Sequence, residues 1–352
     1  MQIYYYFLKK NKQNPDFLYI GNKVLSWYKV HGRNLPFRKT KDLYKIWICE
    51  IIFQQTRINQ GLEHYNRFIV RFPDVQTLAN AHEDDVLLYW KGLGYYSRAI
   101  NLHQAAKQII TDFKGEFPRD YENILKLKGV GKYTAAAISS ICFGEKRPAI
   151  DGNFYRVLSR IFADDFDISQ PKAFDYFAEL SLKMVDDQIG DFNQAIMDLG
   201  SEICKPKKPL CQECPVNSDC LAFEFSIIDE FPVKTKKVKV EQLDLEYYFV
   251  FHQNEFAVQQ RSTDFIWKKL FEFPTEIPEN FNAFIVNQTT IQHKLTHRSL
   301  SIHVQSVEVS DHTLWETYVK THHLQILDQE NWHSKSFPKP LENFINQFFQ
   351  EN

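Results

Sequence analysis

"LKGVGKYTAAAI", residues 127–138, is the stretch whose reading decides the architecture. Gly129 and Gly131 bracket a valine, between the amphipathic "DYENILKL" (120–127) and an alanine-rich segment that reads as a helix. Glycine lets a backbone turn tightly and bring its N–H groups close to a ligand. The helix that follows adds its positive N-terminal end, so the turn is an anion site. A plain helix–helix turn can also carry G-V-G. The longer pattern L-x-G-V-G-x-x-T-A is more demanding, and it predicts two helices joined by a short hairpin that holds phosphate.

Outward from the hairpin, residues 20–225 read as helical. In "NLHQAAKQIITDF", residues Leu102, Ala105, Ala106, Ile109, Ile110 and Phe113 form one stripe of a 3.6-residue period. "PKAFDYFAELSLKMV" repeats the pattern, and turns such as "KGLGYYS" separate the helices. Around 226–243, "IIDEFPVKTKKVKVEQL" has no helical stripe and reads as a linker. Beyond it the period shortens. "LEYYFVF" and "EFAVQQR" flank "HQN" as a hairpin, "NAFIVNQ" and "LSIHVQSVEV" follow as strands, and "PLENFINQFFQ" closes as a helix. Residues 244–352 therefore form a second, α+β domain. Residues 1–19 are expected to be an N-terminal extension.

Net charge is −2, but it is unevenly spread. Residues 1–150 carry 23 Lys and Arg against 13 Asp and Glu, and the remainder 19 against 31. A basic first half suits a polyanion, although a solvated basic face gives the same count. No run of eighteen apolar residues exists, so no membrane span is expected. At the start, "MQIYYYFLKKNKQN" has its lysines after a short apolar patch, the reverse of a secretory signal. We therefore read a cytoplasmic protein without membrane association.

Compartment bears on "CKPKKPLCQECPVNSDC" (204–220), which holds four of the six cysteines at spacing C-x6-C-x2-C-x5-C. In a reducing cytosol clustered thiols bind metal more often than they pair. Pro206 and Pro209 keep the segment out of regular structure, so it can wrap a ligand. Zinc takes four thiolates, usually as two well-separated tight pairs. An iron–sulfur cluster takes four from a compact loop with one tight pair, which fits better here. Lys205, Lys207 and Lys208 in the gap add a contact to phosphate.

Two carboxylates stand in unusual company. In "YKIWICEIIFQQT", Glu50 has Ile46, Trp47 and Phe53 as helical neighbours, with Gln54 beside them. Desolvation there raises a carboxyl and prepares it to act as a general acid near neutrality. A solvent-facing glutamate is the bland reading. In "RPAIDGNFYRVLSR", Asp151 precedes Gly152 and Asn153 at a helix N-cap position. Capping is its ordinary meaning, and stabilising a cationic transition state is the functional one.

A Glu before "QQT", then "GLGYY", the helix–hairpin–helix signature, "DGN" and the four cysteines occur in that order. Together they resemble the MutY-type adenine DNA glycosylases of the endonuclease III superfamily, closely over 20–225 and loosely beyond. The resemblance implies a mainly α helix–hairpin–helix glycosylase with a [4Fe–4S] cluster loop, followed by a C-terminal α+β Nudix-like domain. The implied reaction is removal of adenine mispaired with 8-oxoguanine or guanine in double-stranded DNA, by a monomer associated with the nucleoid if bacterial. The base must be flipped out to be reached. By the resemblance, Cys204, Cys211, Cys214 and Cys220 are the cluster ligands. Glu50 protonates the base, Asp151 stabilises the sugar cation and Asn153 positions the sugar region. Arg33, Leu35 and Arg38 line the adenine pocket. Gln54, Gln55 and Thr56 lie against the bases, Tyr95 wedges into the stack, and Gly129 and Gly131 hold the backbone. Cys49 and Cys142 match no ligand position and are expected in the core.

Position 133 separates branches of this superfamily. Glycosylase-lyases carry lysine there as a Schiff-base nucleophile, whereas this chain has Tyr133, with Lys132 directed elsewhere. Tyrosine cannot form an imine, so base removal without efficient strand cleavage is implied. The Tyr133 hydroxyl is free to orient Asp151 or the base. In the second domain the Nudix catalytic box is absent, which weighs against a nucleotide hydrolase. Leu295-Thr296-His297 stands where the lesion-reading loop often has Phe-Ser-His. Thr296 keeps a hydroxyl for the lesion's Hoogsteen edge, and His297 completes the loop. Phe37 replaces a common tryptophan, and Lys268 and Lys269 replace common glycines. An enzyme for oxidised pyrimidines is the nearest rival, opposed by Tyr133 and the C-terminal domain. A cluster protein without catalysis is opposed by the presence of both Glu50 and Asp151.

Overall fold

A computed structural model describes residues 15–236, 240–262, 265–278, 281 and 283–351. The chain divides into two compact units. One holds the described residues up to Ala79 and from Gln104 to Lys236; the other holds Asn80–His103 and everything described from Val240 on. Residues 241–243 of the expected linker are strand. Residues 1–14 of the expected extension and 237–239 of the expected linker lie outside the described residues.

In the first unit, α1 (Phe17–His31), α2 (Leu43–Ile52), α3 (Ile58–Arg71) and α4 (Val75–Asn80) come first; α5 (Glu83–Trp90) lies in the inserted stretch. Helix α1 begins inside the expected extension, capped by Asp16, whose carboxylate accepts from the Tyr19 N–H at 2.9 Å. After α6 (Ser97–Asp112) come α7 (Tyr121–Leu125), α8 (Lys132–Phe143), α9 (Gly152–Phe162), α10 (Ala173–Leu182), α11 (Ile189–Asp198) and the short α12 (Leu221–Glu224). Helices α7 and α8 are the hairpin pair anticipated from the glycines. Gly129 has φ +76°, a conformation that a side chain would strain.

The core of this unit gathers Val24 and Leu25 of α1, Phe154, Leu158 and Phe162 of α9, Phe177 of α10 and Phe192, Ala195 and Ile196 of α11. Their spacing of three and four residues gives each helix one apolar face. Burying one large apolar side chain contributes about 1.5–3 kcal/mol, so this cluster fixes the helices firmly. Gly21 is required where α1 crosses: a Cβ there would sit 1.7 Å from the Met184 carbonyl oxygen.

The second unit carries a six-stranded sheet with β1 (Glu241–His252), β2 (Glu255–Gln260), β3 (Phe271–Glu272), β4 (Phe284–Lys294), β5 (Arg298–Glu308) and β6 (Gln325–Asp328). Its order is β3-β2-β1-β5-β4, with β6 on β2. Strands β1 and β5 run parallel over eleven pairs, and the other pairs are antiparallel. Strand side chains alternate between faces. Tyr247 and Phe249 of β1 with Leu300, Ile302 and Val304 of β5 pack on α14 (Lys339–Glu351) through Leu341 and Ile345. Val250 and Val307 face the other way, onto Trp315 and Tyr318 of α13 (His312–Thr321). A sheet between two helices is the α+β, Nudix-like arrangement expected for this region.

Candidate active site

Twelve of the residues singled out from the sequence line one cleft of about 750 Å³ in the helical unit: Arg33, Leu35, Arg38, Glu50, Gln54, Gln55, Thr56, Gly129, Gly131, Tyr133, Asp151 and Asn153. Helix α2 supplies Glu50, its apolar side being locked in the core by Ile46, Trp47, Ile48 and Ile51. The helix stops at Ile52, two residues sooner than the neighbour pattern of Glu50 supposed. Phe53 caps it, and Gln54 and Gln55 leave in a turn, Gln55 with φ +55°. The Gln54 amide donates to the Thr134 hydroxyl of α8 at 3.0 Å, which fixes the turn against the hairpin.

Burial pushes the Glu50 carboxyl up to about 7. A hydrogen bond from Tyr133 and the charge of Arg38 oppose the rise, and the charge of Asp151 adds to it. Burial and the two carboxylates raise the Tyr133 hydroxyl well above its ordinary value, so it remains a neutral donor. Its oxygen also lies 3.6 Å from the Met197 sulfur.

Asp151 is the N-cap of α9, as its sequence position required. One carboxylate oxygen accepts from the Asn153 and Phe154 N–H groups, each at 2.9 Å, and the other accepts from the Asn153 side-chain amide at 2.7 Å. Burial raises this carboxyl and these hydrogen bonds pull it down, with a net rise. Capping and cleft lining occur together: Oδ1 takes both backbone caps and Oδ2 takes the Asn153 amide, while the residue still lines the cleft.

Asn153 is held in turn. Its carbonyl oxygen accepts from Arg156 at 2.8 Å, and Arg156 donates to the carbonyls of Gly200 and Cys204, both at 2.7 Å. One turn along α9, Arg160 donates to the Lys205 carbonyl at 2.8 Å and reaches the Cys204 sulfur at 3.5 Å. Two arginines at i and i+4 thus join the helix that Asp151 caps to the start of the cysteine loop. Gly200 is small by necessity, since a Cβ would meet Asn153 at 2.7 Å.

Sequence reading missed Asp198. It is fully buried at the end of α11 and accepts from Arg33 Nε at 2.7 Å and from both ends of the Arg38 guanidinium at 2.5 and 2.7 Å. Burial would raise this carboxyl, but the two arginines overcome it and hold it below the ordinary range. Both arginines line the cleft, yet their charge is already matched by Asp198. Gln194, Met197 and Thr134 are further lining residues not foreseen. The periodic stripe of α11 could place Asp198 near the core, but nothing local names its partners 160 residues away. Cys49 is buried as expected, though it also lines the cleft, and Cys142 is only partly buried. Lys132 turns outward to Asp175 at 3.0 Å.

The four clustered cysteines line a second, small hollow with Val157, Ile161, Leu199 and Val216. Among the described residues, no three His, Cys, Asp or Glu side chains stand together as a ready single-metal site. Four thiols around an apolar hollow, with an arginine at one sulfur, suit a cluster better. Burial raises the Cys214 thiol to about 12 and the Cys220 thiol to about 11.

Tyr95, Thr296 and His297 belong to the second unit. Tyr95 is 47% exposed with φ +46°, in a turn built on Gly92 and Gly94, both at positive φ. Arg98 supports that turn, donating to the Leu93 and Gly94 carbonyls at 3.2 and 3.3 Å while its guanidinium lies 5.7 Å from the Tyr95 ring. The Tyr95 hydroxyl is hydrogen-bonded to the Thr296 hydroxyl. Thr296 and His297 are exposed at the β4–β5 turn.

Comparison with known proteins agrees with this arrangement. Residues 48–181 match the family of HhH-GPD superfamily base excision DNA repair proteins, and residues 204–220 match the iron–sulfur binding domain of endonuclease III. The adenine DNA glycosylase of Buchnera aphidicola subsp. Schizaphis graminum is 33% identical over 341 residues, covering 92% of this chain and 97% of its own. Its Homo sapiens counterpart is 39% identical over 209 residues, 56% of this chain and 38% of its own. Among solved structures, a thermostable thymine-DNA glycosylase matches with TM-score 0.55 and 29% identity, covering 61% of this chain and all of its own. A non-covalent endonuclease III–DNA complex matches with TM-score 0.52 and 19% identity, over 59% of this chain and 95% of its own, which speaks for the fold. The enzyme is a DNA glycosylase, and its cofactor is a [4Fe–4S] cluster. No described helix is long and apolar enough to cross a membrane.

Proposed function

Since the chain belongs to the adenine DNA glycosylase family, we propose that it excises adenine lying opposite 8-oxoguanine or guanine in double-stranded DNA and leaves the strand uncut. The observation that carries this reading is the pair of raised carboxyls, Glu50 and Asp151, facing one cleft. Adenine flipped into the cleft meets a Glu50 that is largely protonated below about pH 7. Glu50 gives its proton to the base as the bond to the sugar breaks, so the bonding electrons leave on a neutral adenine. The sugar is left electron-poor, and the Asp151 anion, fixed by its cap, stabilises that cation until water adds. Tyr133 carries no amine, so no imine links protein and sugar and no elimination follows.

Arg33, Leu35, Arg38 and Asn153 shape the pocket for base and sugar. Gln54, Gln55 and Thr56 meet the bases beside the lesion, and Gly129 and Gly131 bind the backbone at the start of α8. Gly131 leaves open space where a Cβ would stand, which supports close approach of a phosphate. Tyr95 inserts into the stack while Thr296 and His297 read the opposing base. Cys204, Cys211, Cys214 and Cys220 hold the cluster, which orders the loop bearing Lys205, Lys207 and Lys208. The enzyme acts as a monomer.

Duplexes labelled on the adenine strand and containing A:8-oxoguanine, A:G, A:T or an oxidised pyrimidine test the reading, each developed with and without alkali. Adenine loss opposite 8-oxoguanine, with breaks only after alkali, is the expected result. Cutting of the oxidised-pyrimidine duplex without alkali would move the protein to the lyase branch.

A further inference from the structure

From residue 244 onward the chain is acidic, with eight Lys and Arg against fourteen Asp and Glu. Five of the eight fall between positions 261 and 298. Arg261 is committed inside the fold, where Glu272 and Tyr247 receive its guanidinium. Of the other four, Lys294 and Arg298 flank the β4–β5 turn that carries Thr296 and His297, and Lys268 and Lys269 lie in the connection between β2 and β3.

Lys268 and Lys269 arise from the connection between β2 and β3. Its base is closed by backbone hydrogen bonds from Arg261 to the Leu270 carbonyl and from Lys269 to the Arg261 carbonyl, both 2.9 Å. The Gln260 amide donates to the Lys269 carbonyl at 3.0 Å. Trp267 and Lys269 hold φ of +64° and +67°, a region where glycine alone is at ease. Side chains from the same connection touch the β4–β5 hairpin. The Trp267 ring lies 6.3 Å from His293, and the Phe265 ring lies 4.4 Å under the Arg298 guanidinium. The Lys269 side chain is 40% exposed, and its ammonium lies 3.5 Å from the Glu83 carboxylate.

A turn of this shape is most easily made with glycine, yet Trp267 and Lys269 hold its positive-φ positions and Lys268 stands between them, beside the candidate reader. We propose that Lys268 and Lys269 bind backbone phosphates of the DNA strand that carries the base opposite adenine, seating that strand against Thr296 and His297. The inference rests on the proposed glycosylase reading, which supplies the DNA. Phe265 and Trp267 hold the connection that bears both lysines against the hairpin, where a phosphodiester is the anion that a reader of bases must meet. Phosphate contacts set register and give no base preference, so these lysines strengthen binding to damaged and undamaged duplex alike.

The test uses the full chain carrying Glu50→Gln, which holds the substrate uncut, with and without Lys268→Gly/Lys269→Gly. Glycine accepts the positive φ of position 269, so that substitution relieves strain and offsets the added freedom of glycine at 268. Affinity for A:8-oxoguanine and A:T duplexes is read by fluorescence anisotropy from about 50 to 200 mM salt. The double glycine variant is expected to bind both duplexes about tenfold more weakly at the upper salt, with the slope of log affinity on log salt shallower by about 1 to 2. Its thermal midpoint should stay or rise. Lys268→Arg/Lys269→Arg should keep the slope. An unchanged slope and affinity in the glycine variant overturns the proposal. So does weaker binding that the arginine variant shares, since charge would then not be the cause. Should the glycine variant unfold early, Lys269→Asn, which tolerates positive φ, repeats the comparison. Failure of the unsubstituted protein to release adenine would instead strike the glycosylase reading, independently of the salt slope.

Discussion

Glu50 and Asp151 are two carboxyls that burial pushes upward in a cleft of the first unit, while Tyr95 and Thr296 are two exposed residues joined by their hydroxyls in the second. The first pair requires enclosure: an acid left in water would be ionised at neutrality and useless as a proton donor. The second pair requires the opposite. A group that inspects a base must be bare until the base arrives, and its hydrogen bonds must be exchangeable. Tyr133, Asn153 and Arg156 lock the first pair in a chain of contacts, whereas Arg98 holds the backbone behind the second and lies over the Tyr95 ring. On the proposed function, chemistry and recognition call for different surroundings, and the two pairs stand in different units.

The sharpest way to break that comparison is to remove the buried acid. Glu50→Gln should lower single-turnover adenine release by about a thousandfold, within the usual span for a general acid, while duplex affinity stays within a few-fold. Residual activity near the native rate would place the proton donor elsewhere. Next in size is Asp198→Ala. It strands Arg33 and Arg38 in a partly buried site, and breaking such a pair costs about 3–5 kcal/mol, measurable as earlier unfolding in urea. Unfolding at the native urea concentration would mean that the two arginines find other partners. The smallest effect belongs to the exposed pair. Thr296→Val keeps the shape and deletes one hydroxyl, so preference for 8-oxoguanine over guanine should fall about fivefold, the worth of one hydrogen bond. The excision rate opposite guanine should not change, and a matching fall there would make Thr296 a structural residue.

The same contrast explains what could be read from sequence. Helix–hairpin–helix glycines, an N-cap aspartate and four cysteines in seventeen residues are local patterns, because each is fixed by neighbours along the chain. Glu50 was legible for the same reason: its apolar company is helical and nearby. The end of α2 was not, since Phe53 leaves the helix so that Gln54 can reach Thr134, a residue 80 positions away. Asp198 and Arg156 were illegible because their meaning lies in partners 44 to 165 residues distant. The assignment of Asn80–His103 to the same unit as the C-terminal sheet has no sequence signal either. Long-range pairs such as Lys91 with Glu342 at 2.8 Å tie that stretch to the C-terminal segment.

The account turns on burial having lifted Glu50 into the neutral range, and its pH profile tests that most directly. Single-turnover release of adenine opposite 8-oxoguanine should be measured from pH 5 to 9, with breaks developed by alkali. A raised acid is protonated below its folded value and loses its proton as pH rises through it. The rate should therefore hold up to about pH 7 and then fall roughly tenfold per unit, and Glu50→Gln should abolish that limb. A rate that stays level through pH 9, or the same falling limb in the glutamine variant, would contradict it.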